Sequence, residues 1–193
     1  IEVTNSFDSL FDEASILAIL EKLFKGQISV DNLPEDVYTK IAEKLTEGVY
    51  KGFGKKLADV DFDTDDYVML QALRENVYIF SAAKTYQQVK ELTSLLIDKE
   101  GKRVLFEEFK GKALKVFEDY NIRHLEVEFN AAVGQAEMAD TWMKYQATKD
   151  VLPYLIYETV GDKRVRPTHQ ALNGICRKID DAFWDLYLPL NGF

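Results

Sequence analysis

Three side chains capable of directional hydrogen bonding lie within eight positions near the C-terminal end of the chain: Asp162, Arg166 and His169. An aspartate can hold an arginine through two parallel hydrogen bonds, and a histidine can donate from one ring nitrogen while accepting at the other. Their spacing therefore predicts a structural polar network that locks a turn. Two alternatives stay open at this point: a catalytic histidine, and a metal site completed by further ligands.

Cys176 is the only cysteine, so no disulfide can form within the chain, as expected for a protein of a reducing compartment. A cysteine near a histidine can act as a nucleophile with its base, and His169 is close in sequence. However, Ile175 and Ile179 place apolar side chains beside the cysteine, which favours a buried, inert thiol. Since no phosphate-binding glycine loop and no Ser-His-Asp spacing is present either, we predict no catalytic residues.

An acidic segment near residue 60 has the alternating spacing of a calcium-binding loop, with Asp59, Asp61 and Asp63. Such a loop requires a glycine at its sixth position and a bidentate glutamate at its twelfth. Thr64 and Leu70 occupy those positions here. We therefore predict that these carboxylates precede a helix, whose positive N-terminal end they stabilise.

The chain carries a net charge of −9, and an acidic surface repels nucleic-acid phosphates. One segment, residues 163–178, reverses this balance, because it contains five basic residues and no acidic ones. The basic residues are Lys163, Arg164, Arg166, Arg177 and Lys178. A charge run of this kind is typical of a solvated face, although Lys163, Arg164, Arg177 and Lys178 could also contact DNA or an acidic partner.

Composition and length indicate one soluble globular domain or one domain with a small appendage. Hydrophobic residues make up 47 % of the 193 residues and charged residues 30 %. A chain of this size can bury about 70 % of its surface, and no apolar run approaches the ~20 residues that span a bilayer. Because the first residue is Ile1 rather than methionine, we expect the chain to be a fragment of a longer protein.

The elements that must position these residues are mostly helices, because apolar side chains recur at helical spacing. We predict helices over residues 14–24, from Pro34 to about Gly52, from Thr64 through Phe80, and over 86–96, 104–120 and 122–148. The third is expected to bury a stripe of Tyr67, Leu70, Leu73, Val77 and Phe80. In the last, small residues such as Ala132 and Ala136 should let a neighbouring helix approach closely, and His124 should be structural.

The pattern changes after Pro153, where residues 154–160 favour a strand and Gly161-Asp162 favours a turn. We predict a mainly α (α+β) fold with a multi-helix body over residues 1–150. A small, irregular C-terminal α+β unit over residues 151–193 contains a short hairpin. Phe183, Trp184 and Tyr187 are predicted to anchor this unit on the helices, with a partner-binding aromatic patch as the alternative.

Four C-terminal motifs carry a resemblance to a known family. They are T-x-x-D-x-x-V-R-x-x-H at residues 159–169, L-x-G at 172–174, D-D-x-F-W-D at 180–185 and P-x-N-G-aromatic at 189–193. With the run 151–157 and the alanine-rich helix ending at 140–142, they resemble the phage Mu F-like head-morphogenesis family. Residues 73–82 are similar to members from Bacteroidetes-type phages and prophages.

The resemblance implies a minor head protein of the virion, present in the host bacterial cytoplasm during assembly. Its implied partners are portal and capsid proteins and, in some members, packaged DNA, with no membrane. Family members often end the last motif in tryptophan, where this chain has Phe193, and continue into a Cys-x-Cys pair, before which this chain stops. We therefore predict no cofactor, with zinc at His169 only if such a pair follows downstream.

The resulting hypothesis is that the protein assembles phage heads through protein–protein contacts and is not an enzyme. One rival is a metal-dependent hydrolase or nuclease built on Asp162, His169 and Asp180. Another rival is a DNA-contacting virion protein, in which Arg164, Arg166 and Arg177 meet the phosphate backbone.

Overall fold

A computed structural model describes residues 10–188 of the chain. The chain divides into two compact units, residues 1–136 and 137–193, called here the first unit and the second unit. The boundary lies within a long helix. The division at residue 150 that the sequence suggested stays a prediction.

Five long helices account for most of the described chain. They are α1 (Glu13–Phe24), α2 (Glu35–Phe53), α3 (Asp65–Ser94), α4 (Phe106–Glu118) and α5 (His124–Thr148). The second unit adds strand β1 (Tyr154–Ile156), the short helix α6 (Pro167–Gln170), strand β2 (Cys176–Lys178) and the short helix α7 (Phe183–Tyr187). The predicted fold class, mainly α with a small antiparallel pair of strands, is confirmed. Among the described residues no helix is both long and apolar enough to cross a membrane.

The helix ends follow local sequence signals. The carboxylate of Asp12 accepts a hydrogen bond from the Ser15 backbone N–H (2.7 Å), and Thr64 caps α3 in the same way. Gly54 ends α2 with a φ of +77°, a left-handed conformation that costs glycine little. The helix start predicted at Thr64 is therefore confirmed.

Helix α3 is one continuous helix of 30 residues, where the sequence suggested two. Its packing differs from the predicted stripe, because Phe80 is 45 % exposed while the polar Ser81, Thr85 and Gln88 are buried. Lys84 is buried with them and forms an ion pair with Glu128 of α5. Phe80 is therefore exposed although it shares the helical spacing of Leu70 and Val77. The buried side chains from Ser81 to Gln88 are polar, and apolar burial resumes at Val89 and Leu92.

Helices α4 and α5 are joined by a π-helical turn, Asp119–Arg123, rather than by a loop. Within that turn the buried Asn121 side chain donates to the Phe117 carbonyl (3.0 Å), which helps to satisfy the widened backbone. His124 follows the turn with an exposed side chain, and its ring contacts that of Tyr120 at 5.6 Å.

The core of the first unit forms where the apolar faces of the first four helices and the start of α5 meet. Fully buried members are Leu20, Leu23, Ile41, Leu45, Leu92, Phe109 and Leu125. Helix α2 approaches α5 closely through glycines: a Cβ on Gly52 would lie 2.0 Å from the Val133 carbonyl oxygen. The sequence suggested that α2 ends at about Gly52, but the helix continues to Phe53. Gly52 instead permits the close approach to α5 that the sequence predicted.

Candidate functional site

Strands β1 and β2 form the framework of the second unit. They pair antiparallel, with Leu155 opposite Arg177. The ladder continues beyond both ends of β1, because the Tyr157 N–H donates to the Ile175 carbonyl (2.9 Å) and the Ile179 N–H donates to the Pro153 carbonyl (2.9 Å). Five consecutive residues are thereby fixed in extended geometry, so the strand predicted after Pro153 is confirmed over residues 154–156.

Tyr157 and His169 connect the end of β1 to helix α6. Tyr157 is buried, and its hydroxyl lies 3.4 Å from Nδ1 of His169. The Thr159 backbone N–H and hydroxyl both donate to Oδ1 of Asn173, at 2.9 and 3.0 Å. Because Asn173 lies after α6, these bonds tie the start of the loop that follows β1 to the segment that follows α6.

Asp162 organises the loop between β1 and α6. Its carboxylate accepts from the Arg164 backbone N–H (2.8 Å) and from the Arg164 guanidinium at Nε (2.9 Å) and Nη2 (2.6 Å). These bonds favour the ionised form, so the Arg164 side chain and then the Arg164 backbone N–H hold the pKa of Asp162 below its ordinary value. Gly161 precedes it with a φ of +69°, which agrees with the predicted turn.

The loop and α6 line an open pocket of about 470 Å³. Its lining residues are Tyr157, Glu158, Thr159, Val160, Asp162, Arg164, Val165, Arg166 and His169. The structure therefore brings Asp162, Arg166 and His169 to one pocket. The hydrogen bonds differ from the expected pattern, however: within residues 10–188 Asp162 pairs with Arg164 rather than Arg166, and His169 contacts Tyr157. Their role as a structural polar network stays a prediction.

Arg166 is a cationic residue of this pocket whose guanidinium is not engaged by the described side chains. It is exposed and forms the N-cap of α6 through its backbone. Its guanidinium makes no hydrogen bond or ion pair with any residue that the structure describes. Arg164 is engaged by Asp162, so Arg166 can meet an incoming acidic group without first breaking an internal pair.

The three aromatic residues form one contiguous cluster. Trp184 is 4 % exposed, and its indole N–H donates to the Lys178 carbonyl (2.8 Å). Phe183 contacts Trp184, Tyr187 and Tyr157, with ring centroids 4.9, 4.8 and 6.4 Å apart. Trp184 and Phe183 thus tie α7 to the two strands, while Tyr187 is 41 % exposed. Anchoring of this cluster on the helical body stays a prediction.

Cys176 is exposed, so the predicted buried thiol was wrong. All three residues of β2 are exposed, because the apolar contacts of this segment are made by Ile179, one residue beyond the strand. The basic residues Lys163, Arg177 and Lys178 are exposed as well. Their contacts with DNA or a partner stay predictions.

The two carboxylates of the alternative metal site, Asp162 and Asp180, are engaged by cationic side chains. Asp162 forms an ion pair with Arg164, and Asp180 forms one with Lys149 (3.0 Å). Within residues 10–188 no group of three His, Cys, Asp or Glu side chains is arranged to hold a metal ion. Among the described residues, the carboxylates of Asp59 and Asp61 belong to no such group either.

Sequence reasoning did not identify three residues that build this pocket: Tyr157, Arg164 in its pairing role, and Asn173. The sequence contains a local signal for two of them, Arg164 and Tyr157. An aspartate commonly bonds the backbone two residues onward, which places Arg164 beside Asp162. Tyr157 follows the alternation of β1, on the same side as the partly buried Leu155. The motif at residues 189–193 lies outside the described residues.

Comparison with known proteins places these motifs in context. The sequence profile of the family described as "Phage Mu protein F like protein" matches residues 39–193, which include the whole second unit. A protein of Escherichia phage Mu, provisionally designated capsid assembly protein F, is 34 % identical over 71 residues. That alignment covers 37 % of this chain and 16 % of the phage protein, so the chain spans a small part of its relative. No solved structure matches.

Proposed function

Because the chain belongs to the family of phage Mu F-like proteins, we propose that it is a minor head protein that acts in head morphogenesis through contacts with other proteins of the particle. The observation that carries the proposal is the family match over residues 39–193. The similarity to a phage protein named for capsid assembly supports the same role. The proposed location is the virion, and the host cytoplasm during assembly.

The geometry of the second unit supports binding rather than catalysis. Its loop is held at Thr159 by Asn173 and internally by Asp162, which gives a preorganised surface. The pocket presents Arg166 and His169 beside the exposed Val160. A fixed mixture of cationic and apolar groups suits recognition of a partner, because little ordering entropy is lost on binding.

We propose the portal protein as the main partner, with the inner capsid surface as the second. Phage DNA is supported less, because the net charge of −9 opposes it and Arg164 is already paired. A hydrolase is also supported less, because Asp162 and Asp180 are engaged by cations and, within residues 10–188, form no metal-holding group with His169. Origin from a Bacteroidetes-type phage or prophage stays a prediction.

The direct test is binding of the intact parent protein to the portal protein encoded by the same genome, measured by isothermal titration calorimetry. We expect saturable binding, weakened about tenfold or more by Arg166→Glu, since reversing an interfacial charge costs on the order of 1.4 kcal/mol or more. Lys99→Glu is the matched control, because Lys99 is an exposed lysine of the first unit. Absence of binding to both portal and capsid proteins would contradict the proposed function.

A further inference from the structure

The two edges of the β1–β2 pair differ in how their backbone groups are used. In an antiparallel ladder, alternate residues turn their N–H and C=O groups toward the partner strand and away from it. Leu155, Tyr157 and Pro153 face β2, as the bonds at 153 and 157 show. The N–H and C=O groups of Tyr154 and Ile156 therefore point to the opposite edge.

The two outward carbonyls of β2 are occupied by groups of its own unit. The Lys178 carbonyl accepts from the Asp181 N–H (3.0 Å) and from the Trp184 indole (2.8 Å). The Cys176 carbonyl accepts from the Arg177 guanidinium (3.0 Å). At the outer edge of β1, the described residues supply no hydrogen bond to Tyr154 or Ile156. Among the described residues, the outer edge of β2 thus has its carbonyl acceptors occupied, whereas the outer edge of β1 is open.

The open edge lies within a row of exposed apolar side chains. Their exposed fractions are 82 % for Val151, 65 % for Leu152, 56 % for Tyr154, 58 % for Ile156 and 84 % for Val160. Proteins usually protect an open strand edge with charge, a bulge or a covering element, because it can pair with another chain. Here the strand itself carries no charge, and exposed apolar clusters of this kind mark interaction surfaces.

We propose that the outer edge of β1 is a docking site for an extended segment of a partner head protein, which adds a third strand to the sheet. Free backbone donors and acceptors in strand geometry specify an extended peptide, because only a strand satisfies them in register. This inference rests on the proposed function for the source of the segment and deepens it by naming the surface.

The surrounding charges indicate the chemistry of that segment. The exposed carboxylates of Asp150 and Glu158 flank the edge, and neither forms an ion pair with a described residue. The partner strand should therefore carry lysine or arginine at its ends and apolar side chains at alternate positions between them. The net charge of −9 opposes pairing with a second copy of this chain.

The first test uses the full chain and the synthetic peptide Lys-Val-Thr-Val-Thr-Val-Lys, followed by NMR. We expect the amide resonances of Tyr154 and Ile156 to shift and their deuterium exchange to slow by about tenfold. A peptide N-methylated at alternate residues is the control, since it cannot complete the ladder. Equal effects of the two peptides, or shifts confined to other residues, would overturn the proposal.

The second test separates backbone pairing from side-chain contact at one position. Ile156→Pro removes the outward N–H, whereas Ile156→Ala keeps it and shortens the side chain. Proline is tolerated at such an edge because that N–H does not bond β2. We expect peptide binding to weaken about tenfold or more in the proline variant and only about twofold in the alanine variant.

Portal binding by the same variants distinguishes failure of the edge proposal from failure of the proposed function. Equal portal binding by the wild type and Ile156→Pro would remove the edge proposal and leave the proposed function intact. If the wild type bound neither the portal nor the capsid protein, the proposed function would be contradicted. The peptide experiment would still test whether the β1 edge accepts a strand. A dimer of this chain that Ile156→Pro dissociates would assign the edge to a second copy and overturn the proposed partner.

Discussion

The two units differ in what holds them together. The first unit encloses a core of apolar side chains from several helices, including the fully buried Leu20, Ile41 and Phe109. Among the described residues of the second unit, only three apolar side chains are buried: Tyr157, Ile179 and Trp184. Its loop depends instead on hydrogen bonds from Asp162, Thr159 and Asn173. The helices of the first unit are thus held together by buried apolar side chains, whereas the loop geometry of the second unit is specified by directional hydrogen bonds.

The largest effects should come from removing the principal aromatic residue of each unit. Phe109→Ala is expected to destabilise the first unit, and Trp184→Ala the second, by about 3–5 kcal/mol each, because each change leaves a large cavity. Trp184→Ala also removes the hydrogen bond to the Lys178 carbonyl.

Amide hydrogen exchange read residue by residue can separate these two losses. We expect Trp184→Ala to remove protection at β1 and β2 while α1 and α2 keep theirs, with Phe109→Ala giving the reverse pattern. Uniform loss of protection across both units in either variant would show that the two units do not unfold separately, and the comparison would then fail.

A charge buried in the first unit tests whether that unit depends only on apolar packing. The Lys84 side chain is 4 % exposed and pairs with Glu128. Glu128→Leu should destabilise the chain by about 3 kcal/mol, because it leaves a buried lysine without its partner. Adding Lys84→Met should recover most of that loss. Urea unfolding measures both variants.

The pH dependence of the single variant gives a second readout. Burial lowers the pKa of Lys84 below its ordinary value, although Glu128 partly opposes this in the wild type. With the glutamate removed, folding should favour the neutral amine more strongly. The stability of Glu128→Leu is therefore expected to rise with pH up to about 10.5, since the unfolded chain then binds more protons. Lys25→Met, at the exposed pair with Glu21, is the control and should cost less than about 1 kcal/mol.

The smallest effect concerns the loop of the second unit. Because Arg164 holds the pKa of Asp162 below its ordinary value, the contribution of this pair is present at neutral pH and is lost as pH falls through the folded-state pKa. We expect the Arg164 backbone amide resonance to move with a midpoint below pH 3.8 in NMR titrations. Asp162→Asn should abolish that transition. A midpoint at or above the ordinary value would mean that the loop is not held as described.

Much of the fold follows from the sequence because its signals are local. The start of α1, the end of α2 and the start of α3 lie near their predicted positions, since Asp12, Gly54 and Thr64 act through neighbouring backbone groups. The strand after Pro153 follows from its β-branched and aromatic residues. The joining of α4 and α5 was not predicted, because a π-helical turn has no comparable local signal.

The candidate site was predicted in part. Its residues were found because polar groups with directional bonds cluster at 159–169, and all three of the highlighted side chains line one pocket. Their pairing was not predictable from spacing alone. Arg164 and Arg166 are both close to Asp162 in sequence. The turn in which the Asp162 carboxylate accepts from the Arg164 backbone N–H also places the Arg164 guanidinium against it. The exposure of Cys176 was likewise set by the position of β2 rather than by its apolar neighbours.

By itself the sequence determined the helical segments, the strand at residue 154 and the C-terminal motifs that indicate a head-assembly protein. Only the tertiary structure decided that α3 turns Lys84 and Gln88 inward and leaves Ile79 and Phe80 exposed. It alone decided that the outward carbonyls of β2 find partners in their own unit, whereas those of β1 find none among the described residues. The reason is physical: capping and turn formation depend on atoms within a few residues, whereas burial depends on charges and volumes that distant elements supply.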